Sequence, residues 1–424
     1  MTLPNARDAY SLLQPVHHTT CRICHAALLP ILSLGEQYLS DFPASAGTKA
    51  YPPVPLDLTR CENPACGLVQ LAHTTPREWL YSQYWYRSGV NESMRAELRH
   101  VVESGLKYFK GKKHLTVADI GANDGTLLSF YPELAERPVS RIAWEPAKNL
   151  YAACRPHAEV LFPDYFHASS TEWHGQVDLL SMIACFYDLE DPHELVGDVA
   201  NLLSKSGVWI IQQAYLPDML DASGYDNIGH EHLEYYALGP LEGLLAGHGL
   251  EVFAVEHREI NGGSFRAYVG WKGIHPVQES VARMRQVELP LREHAAAIWA
   301  RFTVTVAARI QELREGLAVL HNAGKSVDIY GASTKGNTLL QTAGIDARTI
   351  RQAWERSPEK WGRYAGVSGI PIVPEAEGRA DPPAALLVLP WGFKDSFVGR
   401  EAAYLAAGGK LIFPLPTVEI ISGA

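Results

Sequence analysis

Apolar runs of strand length alternate with helical patterns through the middle of the chain, from about residue 115 to residue 275. The run LTVADI contains Asp119, and a turn, GANDG, leads from it into a helical pattern that begins near Thr126. The apolar run VDLLSMI, the helical pattern HELVGDVANLL and the apolar run VWIIQQAY continue the alternation. This order is typical of a parallel sheet with helices on its faces. The pattern therefore predicts an α/β domain with a Rossmann-like sheet.

The last two apolar runs of this region flank a glycine-rich turn. GLEVFAVEHREI and SFRAYVGW are separated by Asn261, Gly262 and Gly263, which predicts an antiparallel hairpin. A parallel sheet closed by an edge hairpin is the pattern of class I methyltransferases. Ligands of such sheets bind beyond the carboxyl ends of the strands, so Asp119, Glu145 and the QQAY segment should face one crevice.

A nucleoside cofactor is predicted at the first two strands of this sheet. Gly121 allows a sharp turn against which a ligand can lie, and Glu145, about 20 residues further on, stands where a ribose diol is held. The spacing of Gly121 and Gly125 is G-x-x-x-G, and DIGANDG favours S-adenosylmethionine over a nicotinamide cofactor; an ordinary turn without a ligand is the alternative. The further residues assigned to the cofactor site are Ala122, Asn123, Pro146, Ile183 and Tyr86.

A second strand, glycine turn and helix follow a helical segment. Residues 277–323 have helical periodicity interrupted at Pro290, with Gly324 as a stop. In the turn GASTKG, Ser333 and Lys335 stand at a helix start rich in N–H donors, which favours a phosphate or diphosphate over a plain structural turn. The turn lacks the ending of a Walker loop, so nucleotide hydrolysis is not implied.

Later apolar runs, AALLVLPWGF and GKLIFPLPTVEII, predict that this region forms a smaller parallel sheet. Between the glycine turn and these runs, AWERSPEKWG offers three charged side chains as candidate substrate contacts. They are Glu355, Arg356 and Lys360.

Four of the six cysteines form two close pairs near the N-terminus. Two such pairs can converge on one tetrahedral zinc ion, and four thiolates leave it no open position, so the site should be structural. The segment between them is rich in Pro and Gly and poor in apolar residues, so metal would supply folding energy. Unrelated buried cysteines are the alternative. The predicted ligands are Cys21, Cys24, Cys61 and Cys66.

These patterns divide the chain of 424 residues, for which a prior of roughly 150 residues per domain favours two or three globular domains. We expect three, joined by a helical linker. The predicted parts are a zinc-binding module, an S-adenosylmethionine-binding methyltransferase domain, the linker and a Rossmann-like substrate-binding domain, at residues 1–80, 81–275, 276–323 and 324–424.

Composition and charge exclude several functions. A net charge of −10 argues against tracking the phosphate backbone of a nucleic acid. No apolar run approaches the ~18 to 20 residues that span a bilayer. The first residues lack the basic start and apolar region of a secretory signal, so we expect a cytoplasmic protein with reduced cysteines.

The segment GHEHLEYY, residues 229–236, follows the fifth predicted strand on the side of the crevice. It contains His230, Glu231 and His232, and three interpretations compete: two ligands of a metal, a structural polar turn, or acid–base catalysis. No third metal ligand stands nearby in the sequence, and the cysteines already account for a zinc ion. Acid–base catalysis is the favoured interpretation.

Together these motifs carry a resemblance to a known family. The two cysteine pairs with GLVQL after the second, YSQYWYRSGVNESM, DIGANDGTLL, HEH, NGGS and GASTKGNTLL resemble the three-domain C-methyltransferases that act on nucleotide-linked deoxysugars, over nearly the whole chain and in the expected order. The resemblance implies a zinc-bound N-terminal domain, a central domain that binds S-adenosylmethionine, and a C-terminal domain that helps to hold a nucleotide-sugar. It also implies methylation of a carbon beside a keto group, with His232 as the general base and Glu231 beside it, in deoxysugar and natural product biosynthesis.

The sequence also departs from the family at the sugar site. The family has a tyrosine before His-Glu-His, where this chain has Gly229, and another in an SSYS-like segment, where this chain has Val90. The loop after the fourth strand, with an Asn and a His in the family, reads IACFYDL here. These replacements put the acceptor in question more than the cofactor, so a different keto-sugar, nucleotide or non-sugar acceptor stays open.

Methylation at carbon requires a base and a group that holds the enolate oxygen. A histidine suits the first task, and Glu231 could orient it or raise its basicity. Tyr187, Tyr235, Tyr236 or His230 could donate a hydrogen bond to the enolate. The tyrosines at 81, 84 and 86, with Trp85, form either a lid or an aromatic packing seam, and Arg87 either holds a substrate anion or forms a surface ion pair. The residues assigned to substrate binding are Tyr84, Arg87, Tyr187, Lys335, Ser333 and Asn261.

The favoured hypothesis is an S-adenosylmethionine-dependent C-methyltransferase acting on a small molecule, a nucleotide-linked keto-sugar, as a monomer or weak homodimer. One alternative is methylation of carbon, oxygen or nitrogen on a non-sugar small molecule. Another is a catalytically inactive cofactor-binding partner, against which His232 and Glu231 together count.

Overall fold

The computed structural model describes residues 13–81, 84–167 and 172–423. Its N-terminal module begins with short strands and antiparallel pairings. Strands β2, β3 and β4 pair in that order, and β1 pairs with β5. The elements are β1 (Val16–His17), β2 (Leu28–Gln37), β3 (Val54–Cys61), β4 (Val69–Leu71), β5 (His73–Thr74) and α1 (Arg77–Tyr81).

The middle of the chain forms the predicted Rossmann-like sheet. Its order is β12-β13-β10-β9-β6-β7-β8, in which β10 to β8 are parallel and β12 and β13 form the antiparallel edge hairpin. The strands are β6 (Leu115–Ile120), β7 (Val139–Trp144), β8 (Val160–Phe162), β9 (Val177–Ile183), β10 (Leu203–Ala214), β12 (Leu250–Arg258) and β13 (Ser264–Trp271). The helices are α2 (Glu92–Leu106), α3 (Thr126–Ser129), α4 (Tyr131–Leu134), α5 (Tyr151–Cys154), α6 (Pro192–Leu202), α7 (Leu216–Asp221) and α8 (Leu238–Ala246). The α/β prediction and the hairpin are confirmed.

Two helices lead to the C-terminal domain, α9 (Glu279–Glu293) and α10 (Ala295–Asn322). The break was expected at Pro290, but that residue lies inside α9 and the chain turns at His294. A proline lacks the N–H that a helix interior uses, yet its carbonyl still accepts, and the N–H of His294 lies 2.8 Å from it. Helix α10 stops as predicted before Gly324, whose φ is +66°.

The C-terminal sheet has the order β16-β15-β14-β17-β18-β19. The run GKLIFPLPTVEII was expected as one strand of a parallel sheet, but it forms two strands, and β19 pairs antiparallel with β18. The turn that separates them contains Pro414 and Pro416, which cannot donate to a ladder. The elements are β14 (Val327–Tyr330), α11 (Thr334–Ala343), β15 (Ala353–Glu355), β16 (Ile372–Pro374), α12 (Glu375–Ala380), β17 (Ala385–Val388), α13 (Lys394–Arg400), α14 (Ala402–Ala406), β18 (Lys410–Phe413) and β19 (Glu419–Ser422).

The N-terminal module packs against both of the other domains. Its sheet is completed by a strand from the middle of the chain, β11 (Glu234–Tyr235), which pairs with β4 and belongs to the GHEHLEYY segment. The buried side chains of Cys21 and Leu68 join the core of the middle domain, whereas Phe42 and Leu56 join the core of the C-terminal domain. The module therefore fixes elements of both domains. No helix among the described residues has the length and apolar character that crossing a membrane requires.

Candidate active site

A cavity of about 580 Å³ opens beyond the carboxyl ends of β6, β7, β9 and β10. Asp119, Glu145, Ile183 and Gln213 all line it, at the positions that a parallel sheet offers to ligands. The GHEH segment and the start of helix α11 also contribute to its walls. Residues from the middle and C-terminal domains therefore enclose one space, whose volume is in the range of small-molecule binding sites.

Glu145 is held at the cofactor end of this cavity by two backbone groups. Its Oε2 accepts from the N–H of Asn123 at 2.7 Å and its Oε1 from the N–H of Ala147 at 2.7 Å. Burial raises the pKa of Glu145 to about 7. A carboxylate has about four acceptor positions, so two remain for the hydroxyls of a ribose. The residues present therefore fit the nucleoside part of S-adenosylmethionine.

Asp119 lies deeper, at the end of β6. Its Oδ1 accepts from the hydroxyl of Ser181 at 2.6 Å, and burial raises its pKa to about 7. Ala122, Asn123 and Pro146 line the same end. The cofactor residues assigned from the sequence thus lie together, with one exception, Gly125.

The backbone conformation and close packing of the first turn explain why two of its residues are glycines. Gly121 has a φ of +71°, and a Cβ there would lie 2.9 Å from the Sγ of Cys185. Gly125 has a φ of +78° and does not line the cavity, and a Cβ there would lie 3.0 Å from His157. Both conformations favour glycine. The G-x-x-x-G spacing therefore reflects backbone geometry and close packing around the turn, not a direct contact between Gly125 and the ligand.

The aromatic segment 84–87 combines the two roles that the sequence left open, a cover over the cavity and a packing seam between domains. Tyr84 and Tyr86 line the cavity, and the side chain of Asn123 donates to the carbonyl of Tyr86 at 3.0 Å. The indole N–H of Trp85 instead donates to Asp41 of the N-terminal module at 2.9 Å. Arg87 does not line the cavity, since its guanidinium pairs with Glu359 at 2.6 Å. The tyrosines cover the cavity, whereas Trp85 and Arg87 join domains.

His232 faces the cavity in a defined protonation state. Its Nδ1 lies 2.8 Å from the backbone carbonyl of Asn227. Because a carbonyl only accepts, Nδ1 carries the hydrogen and Nε2 keeps its lone pair. Burial, with a further contribution from Lys335, lowers the pKa of His232 to about 4, so the ring is neutral at neutral pH. The ring of Tyr187 packs edge-on against it at 4.5 Å.

The other two residues of the tripeptide have different partners. The Nε2 of His230 lies 3.0 Å from the carbonyl of Val54 in β3, which anchors this histidine to the N-terminal module. Glu231 lines the cavity, and burial raises its pKa to about 7. The expectation that Glu231 orients His232 does not hold in the described part of the chain, because the carbonyl of Asn227 takes that place.

The same geometry separates the interpretations of GHEHLEYY. His230 and His232 point to different carbonyls, and in the described residues the group close enough to hold a metal consists of cysteines. A structural turn does not account for a neutral imidazole with a free Nε2 at a cavity wall. The arrangement favours acid–base chemistry.

Among the residues considered for the enolate oxygen, Tyr187 alone has a hydroxyl in the cavity wall. The hydroxyl of Tyr236 donates to Glu234 at 2.9 Å, and that of Tyr235 to the carbonyl of Asn227 at 3.3 Å. His230 is anchored to Val54. Internal hydrogen bonds therefore occupy three of the four candidates.

Four polar side chains outside the assigned site residues also line the cavity, and one of them, Gln213, lies in the QQAY segment that was expected to face the crevice. Each has a buried oxygen without a hydrogen-bond partner in the described chain, and such atoms are costly unless a ligand or water satisfies them. Their positions in the chain gave the available signal, because Asp188 follows β9, Gln213 lies at the end of β10 and the other two precede GHEH. They are Asp188, Gln213, Asp226 and Asn227.

The C-terminal domain contributes Ser333 and Lys335, and the hairpin turn contributes Asn261. Two backbone N–H groups of the expected anion-binding turn already donate to acceptors within the protein. The N–H of Ala332 donates to Glu355 at 3.1 Å, and the N–H of Gly336 donates to the hydroxyl of Ser333 at 3.0 Å.

The charged residues of AWERSPEKWG do not line the cavity. Lys360 donates to the carbonyl of Ala332 at 2.7 Å, and Arg356 pairs with Glu375 at 3.0 Å. Glu355 accepts from the turn. The expectation that these three contact the substrate is therefore not met, because they hold the C-terminal domain together.

The four cysteines near the N-terminus converge as predicted. Their sulfur atoms all lie within 4.8 Å of one another, with Cys24 and Cys61 at 3.3 Å and Cys21 and Cys66 at 3.7 Å. Thiolates around a tetrahedral zinc ion stand about 3.8 Å apart, so the set fits zinc. All four are free of disulfides.

The fold and these two sites define an S-adenosylmethionine-dependent methyltransferase with a zinc-binding module. Family models of a zinc binding domain, a methyltransferase domain and a C-methyltransferase C-terminal domain match residues 21–81, 90–255 and 259–416. The chain is 29% identical over 416 residues to the C-methyltransferase NovU of Streptomyces niveus, across 95% of this chain and 96% of NovU. Over nearly its whole length the chain is therefore similar to a C-methyltransferase, with a zinc binding domain before its methyltransferase domain.

Solved structures resemble parts of the chain. A chain of the complex between the Trm112 methyltransferase activator and a methyltransferase of Haloferax volcanii has a TM-score of 0.36 and 13% identity, over 43% of this chain and 93% of that chain. The magnesium protoporphyrin IX methyltransferase of Synechocystis PCC 6803, solved with bound SAM, has a TM-score of 0.31 and 11% identity, over 41% of this chain and 78% of that chain.

Proposed function

We propose that this protein methylates a carbon beside the keto group of a nucleotide-linked sugar, with His232 as the general base. The observation that carries the proposal is the hydrogen bond from the Nδ1 of His232 to the carbonyl of Asn227, which leaves Nε2 free to take a proton at the cavity wall. Oxygen and nitrogen acceptors need only a weak base or none. A carbon acid beside a carbonyl needs a positioned one.

S-adenosylmethionine, when bound, supplies a methyl group that is already activated toward nucleophiles. The residues that would hold it are Glu145 and Asp119, with Tyr86 over the same end of the cavity. The chain itself must remove a proton, stabilise the resulting enolate and keep water away. The enclosed cavity and its tyrosines serve the last requirement.

Deprotonation by His232 is compatible with its low pKa. Burial, with a further contribution from Lys335, holds the pKa near 4. When the proton leaves carbon, the enolate that forms beside the imidazolium stabilises it, so the basicity of His232 rises as the reaction proceeds. Neutral His232 is therefore available for reaction across the physiological pH range.

The sugar part of the proposal is supported by the polar wall of the cavity. Its unpartnered atoms are chiefly acceptors, on Asp188, Gln213, Asp226 and Asn227, and the hydroxyl groups of a sugar would donate to them. The motif resemblance extends this to a nucleotide-linked deoxysugar and hence to natural product biosynthesis.

The test is hydrogen exchange. The purified protein is incubated in D₂O with a dTDP-linked 4-keto-6-deoxyhexose and S-adenosylhomocysteine, which cannot donate a methyl group, and deuterium beside the carbonyl is followed by NMR. We expect exchange in the wild type and its loss in His232→Asn. Methyl transfer to a hydroxyl or amine without exchange would contradict the proposal and support an O- or N-methyltransferase. A His294→Gln variant, changed at the exposed turn between α9 and α10, is the control.

A further inference from the structure

Lys335 is a cation in the cavity wall with no anionic partner. It stands on the first turn of helix α11, and no hydrogen bond or ion pair joins its Nζ to any described residue. Its charge acts on two groups of the middle domain, Asp226 and His232. Asp226 is engaged by the indole N–H of Trp391 at 2.7 Å and lies beyond ion-pair distance of Lys335. An ammonium in a largely enclosed cavity is costly without an anion at ion-pair distance, and an anionic ligand would supply one.

The position of Lys335 is fixed by the N-terminal module. The hydroxyl of Ser40 donates to the carbonyl of Thr334 at 3.0 Å, and the amide of Asn337 donates to the carbonyl of Asp41 at 3.2 Å. Gln341 exchanges two hydrogen bonds with the backbone of Tyr38, both at 2.9 Å. The segment 38–41 thus holds the helix that carries Lys335.

The same module holds the segment that carries His232. Strand β11 completes the N-terminal sheet two residues after His232, and His230 is anchored to Val54 two residues before it. Helix α11 also approaches this segment directly. A Cβ added at Gly229 would lie 3.8 Å from the Oγ1 of Thr338 in that helix. One module therefore brings a cation of the C-terminal domain and a base of the middle domain to one wall of the cavity.

An anionic oxygen of the substrate is the chemistry that Lys335 can recognise, and it has two sources, an enolate or a phosphate. A phosphate cradle would use the N–H groups of the turn, and two of these, on Ala332 and Gly336, already donate to Glu355 and Ser333. The enolate, in contrast, forms where His232 removes its proton, and Lys335 lines the same cavity on a helix that approaches the segment of His232 at Gly229. The geometry favours the enolate.

We propose that Lys335 is a catalytic residue whose ammonium stabilises the enolate oxygen, an inference that rests on the proposed function. In the step, the C–H bond beside the carbonyl breaks and its proton goes to the Nε2 of His232. The electron pair forms the new carbon–carbon double bond, and the pair of the former C=O bond moves to oxygen, where Lys335 donates a hydrogen bond. Atoms and electrons balance without any further reactant.

The experiment compares Lys335→Gln and Lys335→Arg with the wild type in the exchange assay, with the dTDP-linked 4-keto-6-deoxyhexose as the probe at saturating concentration. Removing an oxyanion donor costs about 100-fold or more in rate, so we expect that loss in Lys335→Gln, KM within about threefold and partial rescue in Lys335→Arg. Lys394→Gln, which removes a charge from the same domain outside the cavity, should exchange like the wild type. Unchanged melting and S-adenosylhomocysteine binding in Lys335→Gln establish that it is folded.

The outcomes separate the two anion sources. A weaker affinity for the probe with an unchanged exchange rate at saturation would show that Lys335 binds phosphate and would overturn the inference. Full exchange and affinity in Lys335→Gln would overturn it as well. Exchange absent in the wild type would remove the proposed function itself, and with it the role of Lys335, and that failure is recognised before any variant is measured.

Discussion

The Nε2 atom of His230 lies 3.0 Å from the carbonyl oxygen of Val54, so the tripeptide that carries the base is tied to a strand of the N-terminal module. Val54 begins β3, and β3 ends at Cys61, one of the four clustered cysteines. Arg22, between the cysteines of the first pair, donates to the carbonyl of Leu71 at 3.0 Å and to that of Leu233 at 3.4 Å. Strand β3 and these hydrogen bonds therefore connect the cysteine cluster to the segment that carries His232, although the two lie far apart in sequence.

Removal of zinc should impair the acceptor end of the site more than the cofactor end. The N-terminal module anchors His230 and β11, whereas Glu145 and Asp119 are held by the middle domain alone. Structural zinc supplies folding energy, so its loss should release the module. We expect Cys24→Ser to lower methyl transfer at least about tenfold while S-adenosylhomocysteine affinity, measured by calorimetry, changes less than about threefold.

Cys154→Ser is the matched control, since Cys154 is buried away from the cluster in the middle domain. Elemental analysis should find one zinc ion per chain in it and less in Cys24→Ser. Equal zinc content in the two variants would contradict the assignment of the four cysteines.

Replacement of His232 by Asn should remove base catalysis. General-base groups contribute about 10²- to 10⁴-fold, so methyl transfer and exchange should fall by that amount. Because burial lowers the pKa of His232 to about 4, its imidazole is almost entirely neutral above about pH 5. The pH–rate profile of the wild type should therefore show no loss of rate through protonation of this residue near 6.5, the ordinary pKa of histidine. An acid limb near 6.5 that His232→Asn abolishes would contradict this picture.

The sequence predicted those features that depend on neighbours along the chain. The cysteine pairs, the strand that ends near Asp119 and the hairpin at Asn261 are local patterns, and the structure contains them. Pairing of Glu234 with Gln70 in the N-terminal sheet could not be predicted, because a two-residue strand has no periodicity and its partner is far away in sequence. The presence of Lys335 and His232 in one cavity depends on the same kind of long-range packing.

The turn of the edge hairpin offers a stability test with its own control. A Cβ on Gly263 would overlap the carboxylate of Asp218, and Gly263 has a φ of +107°. Gly263→Ala should therefore lower the free energy of unfolding by about 1 to 3 kcal/mol. Gly243 lies in helix α8 with nothing near its Cβ position, so Gly243→Ala should raise it by about 0.5 to 1 kcal/mol. Denaturant unfolding measures both, and a Gly263→Ala variant as stable as the wild type would contradict this close approach of Gly263 to Asp218.

Binding of the cofactor product should depend on pH through Glu145. Burial raises the pKa of Glu145 to about 7, and the ionised carboxylate is the form that accepts from both hydroxyls of a ribose. A ligand that requires the ionised form binds more tightly as the pH rises through that pKa, so the affinity for S-adenosylhomocysteine should increase between about pH 6 and pH 8. Asp119 has a pKa of about 7 as well, and Glu145→Gln separates the two contributions.

In Glu145→Gln we expect S-adenosylhomocysteine affinity at about pH 8 to fall about tenfold or more and its pH dependence to diminish, because an amide offers one acceptor atom and does not ionise. Glu279→Gln, on the exposed face of α9, should keep both the affinity and the pH dependence of the wild type. Calorimetry across this pH range measures the effect. If Glu145→Gln kept the wild-type affinity throughout, the ribose contact would have to lie elsewhere, with Asp119 as the remaining carboxylate at the ends of β6 and β7.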